Sequence, residues 1–274
     1  MSKHKRPRPE PETLGLPRVG VDSHAHLDGE EFTPEDIEPV LARAAAAGVA
    51  QVGNVFLGPA AFAAHKAFFD NHPEVFFILG VHPCDAVGVG ADDLSAMEAA
   101  FRSEPRLRAL GEIGLDYYWD SAPPDVQQAL LRDQLALAKE LDVPVVIHSR
   151  SAEPDTLAIL DAMGFRDRPL VWHCFGGGPD LLEAVSSRGF HVSVPGPVTY
   201  AKNVDLAAAV AAMDPDRLLI ETDAPYLAPE PWRGKRNEPA LVAFTAVRVA
   251  ELLGISPESL WRKTGDNARA FFGV

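Results

Sequence analysis

Residues 19–28 read VGVDSHAHLD, a β-branched run that ends in His24 and His26. Side chains alternate faces along an extended strand, so both imidazoles point the same way, about 7 Å apart along the backbone, and one metal ion can take both. Asp22 and Asp28 flank the pair, and an acidic, imidazole-rich strand end is unfavourable to bury unless a cation satisfies it. Downstream, four more groups follow or interrupt apolar runs: Glu112 in LRALGE, His148 in VPVVIH, His173 in PLVWH and Asp223 in RLLIETD. Taken singly, a histidine at a strand end is commonly a hydrogen-bonded surface residue, and an acid there is commonly a helix cap. Six such groups on one rim are another matter, since without a cation they would leave unpaired polar groups in a cleft.

Four imidazoles and two carboxylates suffice for two divalent ions that share a carboxylate. The allocation expected is His24, His26 and Asp223 on one ion, His148 and His173 on the other, and Glu112 bridging. A water held between two such ions, roughly 3.5 to 4 Å apart, has its pKa lowered toward about 7, and the pair stabilises both oxygens of an in-line displacement. Asp223 is placed to accept that water's proton. Mixed nitrogen and oxygen donors suit Zn, Mn, Fe or Co; Mg tolerates imidazole poorly, although it commonly serves phosphodiester hydrolysis.

Positioning these groups requires strands that end together. After a Pro-rich stretch to about residue 17, expected to be a disordered tail, strand-like and helix-like segments alternate. Strands are predicted at 18–23, 49–57, 75–83, 107–116, 143–149, 169–175, 190–194 and 216–223, each followed by a helical pattern. PDVQQALLRDQLALAKELD, opening at Pro124, is the clearest helix, and residues 256–274 read as an added helix pair packed outside. Strict alternation favours a parallel sheet, and eight units over roughly 250 residues is the size of a (β/α)8 TIM barrel, a single domain over 18–274. The alternative is a doubly wound open sheet, weakened because no Gly-rich phosphate-binding turn follows the first strand.

At 274 residues, 47% hydrophobic and 23% charged, the chain has enough apolar material for one large core. No apolar run approaches the roughly 20 residues of a membrane span, and the basic, Pro-rich start lacks an apolar export segment, so no membrane and a cytoplasmic location are expected. Two cysteines, Cys84 and Cys174, exclude a four-cysteine zinc site. The formal charge of −14 argues against a broad nucleic-acid surface, yet leaves room for an enzyme gripping a strand end with cations and a few arginines.

The motifs DSHAHLD, GVHP, GEIGLDYYWD, PVVIHSR, WHCFGG, ETDAPYLAP and RNEPA occur in an order that resembles the TatD-type metal-dependent deoxyribonucleases of the amidohydrolase-like barrels, from about residue 19 to the C-terminus. The resemblance implies a dinuclear barrel that hydrolyses phosphodiesters, characteristically as a 3′-5′ exonuclease on single-stranded DNA or RNA, in DNA repair or DNA fragmentation. Carried over residue by residue, it implies the same six metal positions, His24, His26, Glu112, His148, His173 and Asp223. A monomer is expected.

Other side chains are candidates for touching substrate. His82 in GVHP faces the same rim and could donate to a phosphate oxygen. Arg150 follows His148 by two residues and can reach a phosphate bidentately. Tyr117, with Tyr118 and Trp119, lies beyond Glu112, where an exposed ring can stack a base. Arg233, Lys235 and Arg236 form a basic run that could grip the backbone. Two rivals stand beside the nuclease: an amidohydrolase-type enzyme acting on an amide, lactone or other phosphoester, which usually bridges its metals with a carboxylated lysine, and a metal-binding barrel without catalysis, which predicts closed coordination.

Overall fold

Strand and helix alternate from residue 20 onward in the computed structural model, which describes residues 8–29 and 31–274. The strands are β1 (Gly20–Ala25), β2 (Val49–Leu57), β3 (Val75–Gly80), β4 (Leu107–Asp116), β5 (Val145–Arg150), β6 (Leu170–Trp172), β7 (His191–Val194) and β8 (Leu218–Ile220). The helices are α1 (Pro34–Ala46), α2 (Pro59–His65), α3 (Ala91–Ser103), α4 (Pro124–Leu141), α5 (Glu153–Ala162), α6 (Pro179–Ser186), α7 (Val204–Ala211), α8 (Val242–Leu253) and α9 (Pro257–Phe272). Neighbouring strands are parallel and run in sequence order from β1 to β8. The sheet closes where β1 meets the chain leaving β8. Ala25 bridges Ala224, the Asp223 amide donates to the His24 carbonyl at 2.9 Å, and the His26 amide donates to the Ala224 carbonyl at 2.7 Å. The result is the expected (β/α)8 barrel, and sequential order with closure excludes the doubly wound sheet.

Local chemistry sets the element ends. Proline opens α1, α2, α4, α6 and α9, where its missing N–H has no intrahelical partner to lose. Thr33 and Asp36 cap α1 reciprocally: the Thr33 amide donates to the Asp36 carboxylate at 2.9 Å, and the Asp36 amide donates to the Thr33 carbonyl at 2.9 Å.

Alternation along the strands divides the apolar residues into two layers. Val21, Ile78, Ala109, Val146, Val171 and Leu219 pack with one another inside the barrel, while residues of opposite parity such as Val52, Phe77, Leu110 and Ile147 pack under the helices. The interior layer continues into α9, through Ala268, Phe271 and Phe272. The Phe272 ring lies 4.7 Å from Phe76, at the start of β3, and Phe271 lies 5.1 Å from His191, at the start of β7. Trp261 sits against Gly20 so closely that a Cβ there would fall 1.9 Å from the indole, whose N–H donates to the Pro17 carbonyl at 2.8 Å. The expected outer helix pair is therefore corrected: residues 257–272 form one helix, whose Ala268, Phe271 and Phe272 seal the N-terminal mouth of the barrel while Leu260 and Trp261 pack in the layer under the helices.

The expected disordered tail is also corrected for residues 8–17; residues 1–7 lie outside the described residues. The Arg8 guanidinium donates to the Pro231 carbonyl at 2.9 Å, the Trp232 indole donates to the Pro9 carbonyl at 3.0 Å, and Leu14 packs with Trp232 beside Ala228, Leu241 and Phe244. Partners more than 200 residues away order this stretch. Among the described residues, no single helix is long and apolar enough to cross a membrane.

Candidate metal centre

Each polar group reaches the C-terminal mouth on a strand end. β1 delivers His24 and, one residue beyond it, His26; β4 carries both Glu112 and Asp116; β5 carries His148. β6 and β8 stop earlier than their sequences predict, so His173 follows β6 by one residue and Asp223 follows β8 by three. The chain turns out of the sheet through left-handed backbone at Cys174 (φ 47) and at Asp223 (φ 56), a conformation aspartate tolerates better than most residues. Between the two β4 carboxylates, Gly114 cannot be larger, because a Cβ would fall 1.8 Å from the His148 carbonyl oxygen.

Glu112 is the hub. Its Oε1 lies 2.7 Å from His148 Nδ1, 2.8 Å from His173 Nε2 and 3.7 Å from His82 Nε2, while its Oε2 lies 3.4 Å from His24 Nε2 and 3.6 Å from His26 Nε2. Asp223 Oδ1 joins the second set, 3.5 Å from His26 Nε2 and 3.9 Å from His24 Nε2. All six predicted ligand residues thus meet around one carboxylate, on two sides. Ligand atoms of Glu112, His148 and His173 could hold one ion; those of His24, His26 and Glu112, or of His24, His173 and Asp223, could hold another. A fourth grouping, His82, Asp116 and His148, also converges.

The electrostatics suit a cation. Burial alone would raise the Glu112 carboxyl, but the His173 charge and hydrogen bonds with His148, His173 and His24 hold it well below the usual range. Asp223 is likewise lowered, its burial outweighed by His26 and by the charge of His173. His173 rises well above 6.5, because Glu112 and Glu221 overcome its burial. His24 falls, through burial and the nearby His173, whose ring stacks on it at 3.9 Å. Without a metal, the centre keeps its anions charged by gathering protons on imidazoles; a divalent ion replaces those protons with one compact charge. His24 Nδ1 is buried with no hydrogen-bond partner among the described residues, and the Nε2 atoms of His24 and His26 face each other at 3.2 Å. Two imidazole nitrogens aimed at one point beside two carboxylates form a donor set that fits a transition metal or zinc.

Sequence reasoning overlooked the groups that orient these ligands. Asp116 Oδ2 lies 3.0 Å from His148 Nε2, and Glu221 Oε1 lies 3.2 Å from His173 Nδ1 while accepting the Cys174 amide at 2.6 Å. Such carboxylates fix the tautomer and direction of a ligating ring. A signal existed for Asp116: it sits four residues from Glu112 on the same strand face, in GEIGLD. Asp22 and Asp28 do not flank the pair as the linear order suggests. Asp22 takes the Thr222 amide at 2.8 Å and the Thr222 hydroxyl at 2.6 Å, and Asp28 takes the Asn54 side-chain amide at 3.0 Å.

The centre floors an open cleft of about 1340 Å³. His82 and Arg150 both line it. The Cys84 amide donates to His82 Nδ1 at 3.1 Å, so the ring proton sits on Nε2, and burial lowers this histidine to about 4, leaving it a neutral donor. Tyr117 does not line the cleft; its hydroxyl donates to Asp155 at 2.9 Å and accepts from Gln128 at 2.8 Å. Trp119, two residues on, lines it instead. Of the basic run, Arg236 is held by Asp36 at 3.5 Å and by the Glu31 carbonyl, and Arg233 lies over Tyr200 at 4.1 Å.

Residues 21–273 match the family model described as TatD related DNase. The chain is 36% identical over 253 residues, 92% of its length and 98% of the relative's, to the uncharacterized metal-dependent hydrolase YabD of Bacillus subtilis. It is 33% identical over 260 residues, 92% of its length and 97% of the relative's, to a protein of Citrobacter rodentium named 3′-5′ ssDNA/RNA exonuclease TatD. The crystal structure of YJJV, a TatD homolog from Escherichia coli K12, superposes with a TM-score of 0.87 at 30% identity, covering 94% of this chain and 99% of that one. With the ligand-rich mouth, the closed barrel and these matches in agreement, the chain belongs to the TatD related DNase family of metal-dependent hydrolases.

Proposed function

We propose that this protein is a dinuclear phosphodiesterase that trims single-stranded DNA, and RNA, from the 3′ end. The observation that carries the reading is Glu112, a single buried carboxylate with imidazoles on both of its oxygens, open to a cleft on one side. Two divalent ions in this donor set, Zn, Mn, Fe, Co or Mg, would supply an acidified water and charge stabilisation of a phosphoryl group. His24, His26 and Asp223 would hold one ion, His148 and His173 the other, and Glu112 would bridge them.

The chain's own residues do the rest. Asp223, at the cleft side of the centre and held ionised, accepts the proton of the attacking water. His82 presents its Nε2–H beside Glu112 to an oxygen of the scissile phosphate. Arg150, at the cleft wall, pairs with a phosphate and offsets the net negative charge of the chain. The reading extends to a cytoplasmic monomer that processes strand ends in DNA repair.

The test is cleavage of end-labelled single strands by protein of known metal content. Glu112→Ala and Asp223→Ala are each expected to lower turnover at least a thousand-fold while the fold is retained. Full activity in either variant, or turnover of amides or lactones with none of nucleic-acid strands, would overturn the reading.

A further inference from the structure

The loop after β4 puts two aromatic rings into solvent, Tyr118 at 57% and Trp119 at 54% exposure, and Trp119 lines the cleft. Rings this exposed gain little from burial, yet the loop is firmly held. Asp116 Oδ1 accepts the amides of Tyr118 (2.9 Å) and Trp119 (3.1 Å), and the backbone of Asp116 is clamped by the Gln127 side chain through two bonds of 2.8 Å. The Arg150 guanidinium lies 3.8 Å from the Tyr118 ring centre and 5.6 Å from that of Trp119, and the two rings meet edge to face at 4.9 Å. The other oxygen of Asp116 is the one on His148. One carboxylate therefore sets the distance between the metal centre and an aromatic and guanidinium platform whose Trp119 and Arg150 line the same cleft.

On the reading of a strand-end nuclease, we infer that Trp119, backed by Tyr118 and Arg150, is the stacking site for a nucleobase adjoining the scissile phosphate. A ring face fixed at the rim accepts any base, because every base has a π-face; Arg150 supplies the positive charge that a phosphate beside that base requires. The substrate class follows: strands whose terminal residues carry bases, DNA or RNA, with little preference among sequences and poor use of ends that lack a base.

The experiment compares a short single strand with the same strand ending in two abasic residues, using metal-loaded protein. Binding is read by fluorescence anisotropy on versions with phosphorothioate terminal linkages, and kcat and KM are measured on the ordinary strands. The base-bearing end is expected to bind roughly ten-fold better or more in the wild type, with the difference mainly in KM. Trp119→Ala is expected to abolish that difference and Trp119→Phe to retain most of it. A Trp119→Ala protein that discriminates as the wild type does, while still cleaving strands, overturns the platform and leaves the nuclease reading intact. A wild type that neither binds nor cleaves strands overturns both.

Discussion

At one mouth of the barrel, Phe271 and Phe272 of α9 lie across the strand starts against Phe76 and His191; at the other, imidazoles surround one carboxylate beneath an open cleft. The same strands build both ends. Their starts are apolar and capped by a helix, and their ends are polar and left uncovered, so stability and chemistry are separated along the barrel axis. The buried charges at the C-terminal mouth are tolerated because they neutralise one another or a cation, whereas the N-terminal mouth gains from burial of apolar area.

The sharpest test is to exchange the expected losses. Phe272 is 4% exposed, and Phe272→Ala removes a ring from the plug, which is expected to cost about 3 kcal/mol of unfolding free energy in urea denaturation. Turnover per folded molecule should change less than two-fold. Glu112→Ala should do the opposite, abolishing turnover with a much smaller change in stability. Turnover that falls in parallel with stability in Phe272→Ala would show the two mouths to be coupled, and the division proposed here would fail.

Asp116 lies within the polar mouth yet is expected to act through its neighbours, His148 and the loop that carries Trp119, and not on the substrate itself. Both of its oxygens are in use, one on the imidazole and one on two loop amides. Asp116→Asn keeps the shape but offers one acceptor, so either His148 or the loop loses its partner. Metal affinity, measured by competition with a chelator, is expected to drop ten- to hundred-fold. Unchanged affinity would mean that the remaining acceptor stays on His148, or that packing alone orients the ring.

Much of this architecture was legible beforehand because it is periodic. The β4 run 107–116 and the β2 run 49–57 match their predicted bounds, since burial on both faces leaves mostly apolar residues and glycine with few polar interruptions. The six convergent groups stood out because each interrupts such a run. What periodicity does not encode is contact between distant segments. Residues 8–17, in the Pro-rich stretch, have no internal pattern, and Trp232 and Pro231 order them from more than 200 residues away. Residues 257–272 show an amphipathic helix, but nothing local says that its stripe enters a barrel. Tyr117 and Trp119 lie two residues apart and look alike in the sequence; the hydrogen bonds of the Tyr117 hydroxyl to Asp155 and Gln128 hold it away from the cleft that Trp119 lines.

The smallest effect expected lies at the sealed mouth and is read by pH. Burial, with the nearby Arg217 charge, lowers His191 from 6.5 to about 4. The unfolded chain thus takes up this proton more readily than the folded one, so the stabilisation is complete above pH 6.5, declines as the pH drops, and is fully lost below about 4. The shift alone is worth about 2 kcal/mol between pH 8 and pH 5, and partial exposure of the ring reduces that to about 1 kcal/mol. In His191→Gln, urea denaturation of chelator-treated protein should show a loss of stability over this interval smaller than the wild type's by that amount. The metal-centre histidines titrate in both proteins and cancel in the comparison. An identical pH dependence in the two proteins would mean that the histidine beside Phe271 is hydrated, and that the plug closes this mouth less completely than its ring contacts indicate.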